Sequence, residues 1–267
     1  MKTWLTAALV LAAAGAQAQA ADPLKAAVAA DHRSVGNVAR DAARHPYETL
    51  SFFGIKPTDT VVELSPGGGW YTEILAPYLS ERGQLYGAGA DPASTSEYDR
   101  RGATRFKAKM DSAGVYGKVK VTVFDAATGK LDFAPPGSAD AVLTFRNVHN
   151  WMSNGADKTQ AVFNAAFKAL KPGGVLGVEE HRLPATRTQD PKAASGYVQE
   201  AVVIKFAEAA GFKLAGRSEV NANPKDTADH PEGVWTLPPT YALKDKDRAK
   251  YQAIGESDRM TLKFVKP

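Results

Sequence analysis

The chain of 267 residues contains no cysteine. Disulfides, thiolate catalysis and cysteine-held zinc are therefore excluded. Blocks of one charge are missing too. The 33 Lys and Arg and 29 Asp and Glu leave a formal net charge of +4, with the signs mixed along the sequence. Without a basic run, nucleic acid is not the expected partner. Long hydrophobic runs are absent except near the N-terminus. There Lys2 precedes an apolar stretch at 4–14 of about eleven residues, too short for a helix across a bilayer of about 30 Å. Hydrophobic residues at 44% and charged residues at 23% exclude a mainly disordered chain.

What is present begins with a processing pattern. Ala16-Gln17-Ala18 and Ala18-Gln19-Ala20 both fit the small-residue cleavage rule for secretory signals. Residues 1–20 are expected to be a signal peptide, and residues 21–267 a single domain that is periplasmic or secreted. No stable membrane span is expected after cleavage; a retained N-terminal tether is the alternative.

The mature sequence alternates between two periodicities. Strands are expected at 60–64, 83–88, 119–124, 139–145, 175–178, 212–220 and 260–265. Helices are expected at 24–50 with a break at Pro46, and at 71–79, 97–113, 158–170 and 197–210. This alternation predicts a parallel α/β sheet with helices on both faces. Residues 184–196 and 221–259 are polar, proline-bearing and irregular. Connections of that length are functional or disordered. Lys244, Asp245, Lys246, Asp247 and Arg248 alternate in sign, as a solvated segment does.

In an open parallel sheet, ligands bind beyond the carboxyl ends of the strands. Glu63 stands at such an end. The turn Ser65-Pro66-Gly67-Gly68-Gly69 follows it and opens a helix. Glycines let a ligand approach the backbone, and the helix directs free N–H groups at the same crevice. A dinucleotide fingerprint would need a third glycine spaced as G-x-G-x-x-G, which is missing here.

The run Val61-Val62-Glu63-Leu64-Ser65-Pro66-Gly67-Gly68-Gly69-Trp70-Tyr71-Thr72 resembles the cofactor motif of class I S-adenosylmethionine-dependent methyltransferases. The segments Asp140 to His149 and Leu170-Lys171-Pro172-Gly173-Gly174-Val175-Leu176 resemble that family's fourth-strand motif and its turn into the fifth strand, in the same order. The likeness spans about residues 47–220 and is nearest to exported, predicted bacterial methyltransferases. It implies a Rossmann-like fold of seven mostly parallel strands, the last antiparallel, with S-adenosyl-L-methionine as cofactor. By position, Glu63 and Gly67 to Gly69 would hold the methionine half, with Ser65, Pro66 and Tyr71 in the same cofactor-binding run. Asp125 and Ala126 would meet the adenine, and Arg146, Asn147 and His149 would line the wall near the sulfonium. Two departures stand out. Ser65 replaces a common glycine. The acid expected at the end of the second strand is missing, and Asp91 could stand in for it if that strand ran two residues further.

Methyl transfer needs alignment of two partners, and a base only where the acceptor loses a proton. His149, Glu180 and His181, after the fourth and fifth strands, are the candidate catalytic residues. Trp151 could stack on an acceptor or belong to the core. A metal site from His149, Glu180, His181 and His230 has no short His-x-x-x-His spacing behind it, so none is expected. His32 and His45 are expected at the surface. The expected function is transfer of a methyl group to an unidentified small-molecule acceptor outside the cytoplasm. Because S-adenosylmethionine is made in the cytoplasm, the alternative is an exported ligand-binding protein that keeps the fold without catalysis.

Overall fold

The structure is a computed structural model that describes residues 22–267; the expected signal segment lies outside the described residues. Short apolar and β-branched runs form the strands β1 (Thr60–Leu64), β2 (Gln84–Gly89), β3 (Lys120–Val123), β4 (Ala139–Phe145), β5 (Leu170–His181), β6 (Lys213–Ser218) and β7 (Arg259–Val265). They make one seven-stranded sheet in the order β3-β2-β1-β4-β5-β7-β6. The first five run parallel, and β7 is antiparallel to both β5 and β6.

The helices are α1 (Pro23–Val28), α2 (Val35–Val38), α3 (Asp41–Arg44), α4 (Pro46–Phe53), α5 (Thr72–Leu79), α6 (Glu97–Asp111), α7 (Val148–Met152), α8 (Ala156–Ala169), α9 (Glu200–Ala209) and α10 (Arg248–Ile254). They cover both faces of the sheet. Val61 and Val62 show this directly: both are fully buried, yet they belong to opposite cores, because successive strand residues point to opposite faces. Val61 packs with Leu50 and Phe53 of α4 and Ile74 and Leu75 of α5. Val62 joins the core that holds Phe163 of α8 and Val203 of α9.

Several boundaries differ from the sequence expectation. The 24–50 segment is four short helices, and Pro46 opens α4 where a break was expected. Proline suits a first helical turn, where its missing N–H has no partner to lose. β5 starts at Leu170, because the chain leaves α8 in extended conformation and Leu170 pairs at once with Ala139. α9 starts at Glu200, three residues later than expected, because Val198 bridges to Arg182 instead. The 221–259 segment contains α10, while Lys244 to Arg248 are exposed as expected. Among the described residues, no helix is long and apolar enough to cross a membrane.

Candidate active site

The strand order reverses between β1 and β4, and the crevice that opens there is where open sheets place ligands. Its volume is about 450 Å³, the size of a small-molecule site. Its wall takes Ser65, Pro66, Gly67 and Gly68 from the turn after β1, Gly89 to Asp91 after β2, Phe124 to Ala127 after β3, and Asn147 after β4. The crevice is therefore built from the ends of four adjacent parallel strands.

The turn after β1 is held by its backbone. Ser65 has φ 50° and Gly67 has φ 57°. Left-handed backbone costs a residue with a Cβ about 1–2 kcal/mol, so Ser65 is strained where a glycine would not be. At Gly68 an added Cβ would meet nothing within 4 Å, because that direction opens into the crevice. Asn147 ties β4 to β1 by donating its side-chain amide to the Leu64 carbonyl at 3.2 Å.

Asp91 lies two residues beyond β2, which ends at Gly89, so the strand does not run on to carry it. Its carboxylate nevertheless lines the crevice. One oxygen accepts from the Ala93 amide at 2.8 Å, and the other is ion-paired with Lys130. Lys130 and the Ala93 amide hold this carboxyl below the ordinary carboxylate value. Asp125 closes a local turn, accepting from the Ala127 and Thr128 amides and the Thr128 hydroxyl.

Four residues expected at the cofactor are not on the crevice wall. Glu63 is 2% exposed beneath the turn and accepts from the Thr72 hydroxyl at 2.6 Å. Burial pushes its carboxyl up to about 7, against the opposing effects of Thr72, Arg146 and Lys109. Gly69 does not line the crevice and sits against the Lys109 side chain. Tyr71 is buried; its ring stacks on Phe145 at 3.5 Å and its hydroxyl donates to Glu179. Arg146, in left-handed conformation at φ 62°, turns away from the wall and donates to Glu179 Oε1 at 2.7 Å.

That contact belongs to a buried ionic network. Glu179 also meets Arg259, and Glu256 pairs with Arg40, Arg44 and Arg259. Burial opposes charge on Glu179, but Arg146, Arg259 and Arg44 outweigh it and hold the carboxyl below its ordinary value. Burial and the neighbouring Arg146 bring Arg44 down to about 9, against the pull of Glu256.

Glu180 faces the other side of β5, as the pleat requires. It is fully buried, and its carboxylate accepts from the His149 and His181 amides. His149 Nδ1 lies 3.0 Å from Glu180 Oε1. A carboxylate only accepts, so Nδ1 donates this bond. His181 Nδ1 lies 2.6 Å from the Ser257 hydroxyl. Burial first, then the neighbouring His149 and Arg146, push the His181 imidazole well below its ordinary pKa, so it is neutral. His149, Glu180 and His181 each bring a ligand-type atom to within 4.8 Å of the others, the group among the described residues that could hold a metal. His230 is not part of it; it bonds Asp226 at 2.8 Å. His32 and His45 are half-buried rather than at the surface, and His32 bonds the Glu73 carbonyl.

The 221–259 segment approaches these histidines. Trp235 lies 6.0 Å from the His149 ring, and Val234 packs with Leu183 and Tyr197. Trp151 packs edge-on against Phe124 and Phe163, and it also reaches the crevice wall. The sequence reading passed over α6, whose Tyr98, Asp99, Gly102, Arg105 and Phe106 form the outer wall. Their spacing of three and four residues was the available signal for one helix face. Asn150 and Asn154, also on the wall, carried none.

No family model matches the chain, and no curated protein matches it in sequence. Solved structures match it in fold. A SAM dependent methyltransferase from Aquifex aeolicus aligns over 92% of this chain and 99% of its own, with TM-score 0.57 and 16% identity. The cyclase SpnF aligns over 92% of each chain, with TM-score 0.57 and 17% identity. The fold expected from the sequence, a Rossmann-like class I methyltransferase fold, is the fold observed.

Proposed function

We propose that the protein is an S-adenosylmethionine-dependent methyltransferase that acts on a small molecule outside the cytoplasm. The observation that carries this reading is the crevice at the sheet's switch point, whose wall brings together Gly67, Gly68, Asp91, Asp125, Ala126 and Asn147. Bound there, the cofactor would supply an electrophilic methyl group. Gly67 and Gly68 would admit it against the backbone, Asp91 would accept from its ribose hydroxyls, and Asp125 and Ala126 would flank its adenine. Where the acceptor must lose a proton, His149 is the group to take it. Glu180 fixes its tautomer and leaves Nε2 as the accepting atom. The 1–20 pattern supports export.

One observation favours the second reading, a ligand-binding protein without catalysis. Lys130 occupies the Asp91 oxygen that a ribose would need. Fold alone does not decide between the two.

The test is calorimetric titration of the purified protein with S-adenosylmethionine and S-adenosylhomocysteine. Micromolar binding of either supports the methyltransferase reading and justifies an acceptor screen. Absence of binding at millimolar ligand, with the protein shown to be folded, replaces it with the ligand-binding reading.

A further inference from the structure

We infer that His149, Glu180 and His181 form a binding site for a divalent transition metal. The inference is independent of cofactor binding in the crevice, because none of the three residues lines its wall, although it replaces the base role given to His149.

Two imidazoles and one carboxylate are a recurrent ligand set for such ions, and imidazole nitrogen selects Fe²⁺, Co²⁺, Ni²⁺ or Zn²⁺ over Mg²⁺ and Ca²⁺. The spacing suits that chemistry. Ligands at about 2.1 Å from a metal stand about 3.0 Å apart when adjacent in an octahedron and about 4.2 Å apart when opposite. His149 Nδ1 and Glu180 Oε1 are 3.0 Å apart, the adjacent spacing, and the whole group lies within 4.8 Å. Binding a metal requires the three ligand atoms to close from within 4.8 Å of one another and the His149–Glu180 hydrogen bond to open.

Metal ligands must be deprotonated nitrogens and an ionised carboxylate. A metal would take the place of the hydrogen-bonding proton at His149 Nδ1. His181 Nδ1 is already committed to the Ser257 hydroxyl, which leaves Nε2 as its ligand atom and supplies the outer-shell partner such histidines usually have. Ser257 is itself 3% exposed. Glu180 is fully buried and His149 nearly so, whereas His181 is half-buried and opens the group to solvent. Three protein ligands leave coordination positions open, so a bound metal would acidify an acceptor that coordinates it. His149 would then be a ligand and not a base.

The test uses the chelator-treated protein titrated with Zn²⁺ and Co²⁺ by calorimetry, with no adenosyl ligand present. One metal per chain at micromolar affinity or tighter is expected. Mg²⁺ should not compete. Trp235 is 6.0 Å from the His149 ring, so Co²⁺ should quench its fluorescence, and Trp235→Phe should remove the quenching without removing the calorimetric signal. His181→Ala should abolish binding. Ser257→Ala, which keeps all three ligands, should weaken it about 10–100-fold. Circular dichroism checks that each variant is folded. Absence of binding at millimolar Zn²⁺ and Co²⁺, Mg²⁺ binding as tight as Zn²⁺, or affinity unchanged in folded His181→Ala overturns the site. None of these outcomes bears on whether the crevice binds an adenosyl ligand.

Discussion

Asp91 of the crevice wall is joined to Lys130 by an ion pair between a buried carboxylate and a half-exposed ammonium. The carboxylate belongs to the wall, and the ammonium is free to swing into solvent. A ligand with a ribose diol must displace Lys130 to reach Asp91. Lys130→Ala should therefore tighten binding of S-adenosylhomocysteine by about two- to fivefold, the worth of an exposed pair. Asp91→Asn should weaken it about tenfold or more, as the loss of charged hydrogen bonds does. Calorimetry on both variants checks this; weaker binding in Lys130→Ala would show that Lys130 helps to hold the ligand.

Gly68→Val tests the crevice without testing the fold. The added side chain meets nothing within 4 Å at its Cβ and projects into open space. Thermal unfolding should change by less than about 0.5 kcal/mol, as for a surface change. Adenosyl-ligand binding should be lost. Undiminished affinity in the folded variant would place the ligand elsewhere.

Glu63 makes stability depend on pH. Its folded pKa of about 7 lies above its ordinary 4.5, because burial disfavours the carboxylate. The folded state thus binds the proton more tightly than the unfolded chain does. Its contribution is fully present below about pH 4.5 and is lost as the pH rises through 7. The whole loss is about 3 kcal/mol. Glu63→Gln keeps an acceptor for Thr72 and removes the titration. Urea unfolding at pH 5, 6, 7 and 8 should show wild-type stability falling relative to the variant. Parallel curves would mean that Glu63 is not buried as described.

Glu179 is the fully buried counter-ion of Arg146 and Arg259. Removing one partner of a buried pair leaves the other charge uncompensated, at a cost of about 3–5 kcal/mol. Glu179→Gln should lower the unfolding free energy by that order, measured by denaturant titration at pH 7. A change below about 1 kcal/mol would mean that water or Glu256 compensates the arginines.

Much of this protein could be read from its sequence because the signals were local. Val61, Val62 and Leu64 are apolar and precede a glycine turn, and β1 and β4 both match their expected spans to the residue. The glycines at the turn marked a close backbone approach, since few other residues accept positive φ. What the linear chain does not encode is which side chains meet across more than one turn. Glu179 and Glu180 read alike, as neighbouring acids at a strand end. The pleat sends one to an arginine network that includes Arg146 and Arg259, and the other to His149 and His181. The positions of Glu63 and Tyr71 followed the same rule: their sequence placed them near the crevice, and the packing of α5 on the sheet turned them inward. Composition, periodicity and turn residues determined the order of strands and helices, because those are properties of neighbours in sequence. The tertiary structure alone decided the charge environments, because these depend on groups brought together from distant segments.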